Sequence, residues 1–244
     1  MAIELMYTQQ IVEDSGVKIL TYSDAGVGKT VLVATLPRPV LISAESGLLS
    51  LRKENVERIF GPTGLPFSDN ILTIQVTTLE QLREAYQWVV HPDSQQYFDS
   101  VALDSLSEMA EKILAHFKPL NKDPRKAYGE MQDEVMDLIK KFRDIKGKHV
   151  YMSAKMGKDK DELTGQLLWG PSMPGQKLGP QLPYLFDEVF RYQIVTGQDG
   201  AKTRMLQTQP GLNDSAKDRS GVLNEFEFPH LGYIINKIKA KGNQ

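Results

Sequence analysis

The chain contains no cysteine, which excludes a disulfide framework and thiolate metal sites. Its four histidines are scattered and none pairs with another at metal-ligand spacing, which argues against a structural zinc centre. It has no apolar run long enough to span a bilayer and no basic-then-apolar stretch after Met1, so a cytoplasmic protein without a membrane partner is expected. A large excess of charge of either sign is also missing. With a net charge of −2, any nucleic-acid binding must come from a local basic surface. Internal repeats and low-complexity linkers are absent. A single unit spanning residues 1–244 is expected, and that length is enough to bury a sizeable core.

Short β-rich runs alternate with helical periodicity, which predicts an α/β fold with a mostly parallel sheet flanked by helices. Strands are predicted at Val17–Tyr22, Val40–Ser43, Ile71–Val76, Ser100–Leu103 and His149–Ser153. Thr78 and Gln81 form a capping-box pattern for a helix running to about Val90. Leu106, Met109, Ala110, Ile113, Leu114 and Phe117 repeat at helical spacing, as do Met131, Val135, Leu138, Ile139, Phe142 and Ile145, with Gly147 as the stop. All of these read as core. The core region ends near residue 155. Residues 155–183 carry five glycines and four prolines without a sustained period, which predicts a functional loop or a locally disordered segment. Beyond it, in residues 184–244, two strands around Gln198-Asp199-Gly200 predict a C-terminal β-hairpin extension, followed by Val222–Phe228 and Leu231–Ile238.

The chemistry begins at "KILTYSDAGVGKT", residues 18–30, where an apolar strand enters a glycine-containing loop. Residues Ser23, Asp24, Ala25, Gly26, Val27, Gly28, Lys29 and Thr30 can wrap an anionic oxygen cluster with their backbone amides at the start of a helix. Lys29 would reach the β- and γ-phosphates of ATP, and the Thr30 hydroxyl would ligate Mg²⁺. Ser23 stands where the G-x-x-x-x-G-K-[ST] pattern has its first glycine, the one departure from it.

Two further strands end in carboxylates. "PVLISAESG" ends in Ala44-Glu45, placing Glu45 where it could activate an attacking water, although an exposed loop glutamate has the same signature. "YFDSVALDSLSEM" ends in Asp104-Ser105, so Asp104 fits a Mg²⁺-holding carboxylate and equally a helix cap. Asp99 precedes the apolar run instead of following it, which disfavours it as the rival.

In that order, these elements resemble the ATPase core of RecA-type recombinases and DnaB-type helicases. The resemblance covers about Val17 to Phe228 and implies a RecA-like P-loop core with ATP and Mg²⁺, Glu45 being the catalytic base. "HVYMSAK" falls where that family places a polar γ-phosphate sensor, at Ser153 to Lys155, without the usual glutamine. "SAKDRSG" resembles the Lys-x-Arg-x-Gly segment of the DnaB/RadA branch. There both cations, here Lys217 and Arg219, act on ATP held by the adjacent subunit, which implies a homo-oligomer, ring or filament.

The short N-terminus, the Pro/Gly-rich stretch and "LPYLFDEVFRY" look most like small phage RecA-like ATPases, the phage nucleotide-binding or AAA-domain proteins, some of them single-strand annealing proteins. This implies a phage-encoded, DNA-stimulated ATPase that assembles on single-stranded DNA in recombination, annealing or replication, with a single-strand binding protein as a further partner. Without the extra DNA-binding domains of full recombinases in these 244 residues, single-strand binding and annealing are expected more than autonomous strand exchange. Two alternatives remain: a helicase-loader or motor-type ATPase acting on a protein, and a nucleotide-gated assembly protein with little turnover.

Family topology points DNA to the loops after the third and fourth core strands. The first carries Lys118, Lys122, Arg125 and Lys126 beside Tyr128, where charges suit phosphates and a ring suits a base. The second carries Lys155, Lys158, Lys160, Trp169 and Lys177, diluted by Asp159, Asp161 and Glu162.

Overall fold

The computed structural model describes residues 5–45, 47–160, 165–197 and 199–241. Helices and strands follow in the order α1 (Thr8–Asp14), β1 (Lys18–Ser23), α2 (Lys29–Leu32), β2 (Pro39–Ser43), α3 (Lys53–Phe60), β3 (Leu72–Gln75), α4 (Leu79–Val90), β4 (Ser100–Asp104), α5 (Leu106–Phe117) and α6 (Pro124–Arg143). Then come β5 (His149–Lys160), β6 (Leu167–Ser172), α7 (Leu178–Leu185), β7 (Glu188–Thr196), β8 (Lys202–Gln207), β9 (Lys217–Asp218), β10 (Phe226–Glu227) and α8 (Leu231–Lys241).

The sheet runs β10-β8-β7-β1-β5-β4-β2-β3, with β6 paired to β5 and β9 to β7. Every pairing from β7 through β3 is parallel, and β8, β10, β6 and β9 attach antiparallel. The predicted α/β class with a C-terminal hairpin extension is what the chain adopts. From β1 the chain passes over β5 and β4 before laying down β2, leaving a crevice at the carboxyl ends of the strands, where open α/β sheets bind ligands.

Because both faces of the sheet are covered, its central strands are buried almost throughout and do not alternate. On one face, Leu20, Val101 and Val150 pack under α4, α5 and α6 through Leu82, Ile113, Met131 and Phe142. On the other, Ile19, Leu41, Tyr151 and Phe190 meet Leu32 of α2 and Ile234 and Ile235 of α8. Phe142 is wholly buried, and truncating it to alanine would cost about 3–5 kcal/mol, enough to endanger the fold.

Several local expectations need correction. Thr78 accepts from Gln81 N at 3.2 Å as expected, but the Gln81 side chain returns to Thr77 N at 2.7 Å, one residue earlier than a capping box requires. Helix α6 stops at Arg143, and Gly147, at φ 67°, instead turns the chain into β5.

The Pro/Gly-rich stretch is largely regular. β5 continues past Ser153 to Lys160, pairs antiparallel with β6, and is followed by α7. Its glycines permit close packing: a Cβ at Gly157 would lie 2.9 Å from Ser172 Cβ, and one at Gly179 would lie 2.5 Å from Pro171 O. Asp161 and Glu162 of that stretch, and Gln198 of the β7–β8 turn, lie outside the described residues. The last predicted segment, from Leu231, is helix α8.

Candidate nucleotide site

β1 ends at Ser23, whose extended backbone any residue can adopt, so the motif tolerates serine there. The turn into α2 is made by Gly26 at φ 77° and Gly28 at φ 120°. Gly28 is required twice over, because an added Cβ would also sit 3.3 Å from the Tyr192 hydroxyl. Asp24, Ala25 and Gly26 are exposed, and Tyr151 OH donates to Lys29 O at 3.0 Å, anchoring the first turn of α2 from beneath.

The Lys29 ammonium folds back onto the loop, donating to Ser23 O and Ser23 Oγ at 3.0 Å each and to Asp24 O at 3.1 Å. Burial pushes its pKa down, opposed by the carboxylates of Asp104, Glu45 and Asp24. A bound phosphate would supply the counter-charge that the three oxygens only partly replace.

Thr30 Oγ1 donates to Asp104 Oδ2 at 2.5 Å, and Ser153 Oγ donates to Asp104 Oδ1. The hydroxyl–carboxylate pair Thr30–Asp104 is a hard-oxygen donor set that would suit Mg²⁺. The capping role at the β4 tip falls to Ser105, which leaves the Asp104 carboxylate free of it. Asp104 faces the loop, while Ser105, joined to it by a cis peptide, caps α5 by accepting from Glu108 N at 3.4 Å.

Glu45 lies beside this pair. Ala44 N donates to Asp104 O at 2.9 Å, tying the β2 tip to the β4 tip. Ser43 Oγ donates to Glu45 O at 2.9 Å, and Ser105 Oγ donates to Glu45 Oε1 at 2.9 Å. Ser43 thus holds the Glu45 backbone and Ser105 its carboxylate, at the mouth of the loop.

The loop, Glu45 and Asp104 line one cleft of about 620 Å³, within the range of small-ligand sites. Its remaining wall was not identified from sequence. Asn55, Arg58 and Phe60 of α3 face the loop from one side, with Tyr192 and Arg204 on the other. Arg204 Nε donates to Val27 O at 2.8 Å, and burial pushes the Tyr192 hydroxyl up to about 12. These residues carry no motif, and only the sheet order brings them to the loop.

Lys155, in the sensor segment, also lines the cleft, where Glu111 and Glu108 hold its ammonium at 2.9 and 3.3 Å. Lys158 lies 4.2 Å above the Trp169 ring, and Arg191 stacks on the same indole at 5.3 Å. The half-buried Trp169 is thus already engaged by cations. Lys118, Lys122, Arg125 and Lys126 are exposed around the start of α6, where Lys126 pairs loosely with Glu130 at 3.7 Å. Gly175 sits against Gln132 and Tyr128, so the two basic regions meet across the start of α6.

Lys217 and Arg219 do not join the cleft of their own chain. β9 pairs with Glu188 and Val189 at the start of β7, while Ile19, near the start of β1, is the partner of Glu188. The loop lies beyond Ser23, roughly 13 Å farther along the strands. At that opposite edge Lys217 donates to Pro183 O at 2.6 Å and to Phe186 O, and Arg219 pairs with Asp187 at 2.8 Å.

No curated protein matches the chain. Among solved structures, a KaiC-like protein, PH0186 from Pyrococcus horikoshii OT3, is similar over 79% of this chain and 78% of its own, at 13% identity and a TM-score of 0.43. The AAA_24 family model, described as an AAA domain, matches residues 15–220. That span runs from just before β1 through β9 and includes the loop, Glu45, Asp104 and Arg219. The chain therefore belongs to the AAA_24 family of AAA domains and is a P-loop NTPase.

Proposed function

We propose that this protein hydrolyses ATP at the Lys29–Thr30 loop and assembles on single-stranded DNA, with Lys217 and Arg219 of one copy completing the site of the next. The observation that carries the hydrolytic part is the Glu45 carboxylate, oriented by Ser105 beside the Thr30–Asp104 pair. Glu45 would orient the attacking water, Lys29 would neutralise charge on the phosphates, and Thr30 and Asp104 would hold Mg²⁺. Mg²⁺ held there would supply positive charge to offset the charge developing on the phosphates.

The separation of Arg219 from its own loop supports its service to a neighbour, since a guanidinium aimed at a phosphoryl group must lie within hydrogen-bond reach of it. The exposed cations at the start of α6 and on β5 support contact with a polyanion. The resemblance to phage RecA-like ATPases supports a place in phage recombination, annealing or replication. Among the described residues no helix is long and apolar enough to cross a membrane.

The test is ATP turnover in Mg²⁺ at low salt, with and without single-stranded DNA, for wild type, Lys29→Ala, Arg219→Ala and an equimolar mixture of the two variants. DNA stimulation, loss in each variant and partial recovery in the mixture support the proposal. Turnover indifferent to DNA, together with no strand binding, removes the DNA role. Stimulation by a protein partner instead points to the motor-type alternative.

A further inference from the structure

Helix α1 buries none of its residues, yet Tyr7, Ile11 and Val12 are 82%, 49% and 54% exposed on it or at its cap. A seven-residue helix is marginal in water, so an apolar face left open on one calls for a cover. Lys239 Nζ ties its C-terminal end to α8, donating to Glu13 O at 3.2 Å. There Val12 and Glu13 line a recess shared with Arg219 and Asp187. The helix therefore belongs to the same edge as the cations assigned above to a neighbouring copy.

The nucleotide cleft has matching features on its rim. Leu49 is 68% exposed next to the cleft-lining Ser50, and Ile59 of α3 is exposed at the cleft wall. Exposed Arg52 and Arg58 flank them, while the exposed Glu13 and Asp14 close α1. If Arg219 is to reach a neighbour's phosphates, the surface around Arg219 must meet the surface around that cleft. Apolar then faces apolar, and acid faces base.

We propose that α1 docks on the cleft rim of a second copy of this chain, with Ile11 and Val12 against Leu49 and Ile59 and with Glu13 and Asp14 facing Arg52. This rests on the reading that Arg219 acts on the next copy, and it adds the contact that seats it. The interface is head-to-tail, so each copy can accept one neighbour and offer itself to another.

The absence of cysteine makes the contact directly testable. Ile11→Cys chains are mixed with Leu49→Cys chains, in Mg²⁺ and a non-hydrolysable ATP analogue, and oxidised. A disulfide requires Cα atoms within roughly 7 Å. A cross-linked pair is expected in the mixture, absent from either variant alone and from Ile11→Cys mixed with Leu120→Cys, whose position is exposed near the start of α6. Cross-linking to Leu120→Cys as well would overturn the proposal. No cross-link in a mixture that sediments as an oligomer would overturn the docking and leave the Arg219 reading standing. No cross-link, no oligomer and no recovery between Lys29→Ala and Arg219→Ala would overturn both.

A charge-reversal pair gives a second readout. Glu13→Lys with Asp14→Lys in one chain, and Arg52→Glu in the other, should each weaken self-association at least tenfold. Mixed, the reversed charges face one another and association should return. If the mixture stays as weak as its parts, the contact is not the one proposed.

Discussion

The Ser105 hydroxyl donates to Glu45 Oε1 at 2.9 Å while also accepting from Glu108 N to cap α5. One side chain thus sets both the start of a helix and the aim of a carboxylate on a neighbouring strand. Ser105→Ala should cost about 1 kcal/mol of stability through the lost cap. It should also lower turnover by about tenfold or more, because a reacting group displaced by an ångström loses much of its advantage. Nucleotide affinity should stay within about twofold of wild type. Affinity falling in parallel with turnover would show that Glu45 is not what Ser105 positions.

Asp104 accepts from Thr30 at 2.5 Å and from Ser153, so its two oxygens are fixed before a metal arrives. Asp104→Asn keeps the shape and removes the charge. Turnover in Mg²⁺ should drop by roughly 100-fold or more, the scale of losing several kcal/mol of charge stabilisation. Nucleotide affinity measured in excess EDTA should change little. Titrating a fluorescent ATP analogue with and without Mg²⁺ separates the two effects.

Ser23 Oγ accepts from Lys29 Nζ and donates to Asp24 O at 2.9 Å, so serine at the first motif position helps hold the lysine back against the loop. Ser23→Gly removes one of three oxygens competing with phosphate for that ammonium. Nucleotide binding should tighten by about tenfold at most, the worth of one charge-assisted hydrogen bond offset by glycine's added backbone freedom. Equal affinity with altered turnover would place the role of Ser23 in hydrolysis.

Glu188 is fully buried at the start of β7, with Ser220 N donating to Oε1 at 3.2 Å and no hydrogen-bond partner on Oε2 among the described residues. Burial first, and the nearby Asp218 charge second, push its carboxyl up to about 8. Between the ordinary value of 4.5 and about 8, the unfolded chain has released this proton and the folded chain retains it. Stability should therefore fall as pH rises through that window and level off above it. Glu188→Gln removes the slope, matching wild type near pH 4.5 and exceeding it at pH 8.5 by on the order of 4 kcal/mol. Denaturant midpoints at the two pH values test this directly.

The phosphate-binding loop, the two strand-end carboxylates and the helical core faces were legible along the chain because each is a local pattern. An apolar run followed by glycines, or by a carboxylate and a capping residue, constrains its own backbone wherever it sits. The Pro/Gly-rich stretch was misread because glycine signals both looseness and close approach. At Gly157 and Gly179 it is close approach, against Ser172 and Pro171.

The sequence alone determined where the candidate side chains stand locally: Lys29 and Thr30 open the helix after β1, and Glu45 and Asp104 lie at strand tips, whichever way the strands are ordered. Tertiary structure alone decided their partners. Inserting β5 between β1 and β4 brings Ser153 to Asp104, the parallel pairing of β2 with β4 brings Ser105 to Glu45, and the return through β7 and β8 brings Tyr192 and Arg204 to the loop. The register of β9 against the start of β7 holds Lys217 and Arg219 at the opposite end of the strands, away from their own cleft. The physical reason is range: a hydrogen bond between residues about 50 positions apart depends on where whole strands lie in the sheet, and no local pattern records that.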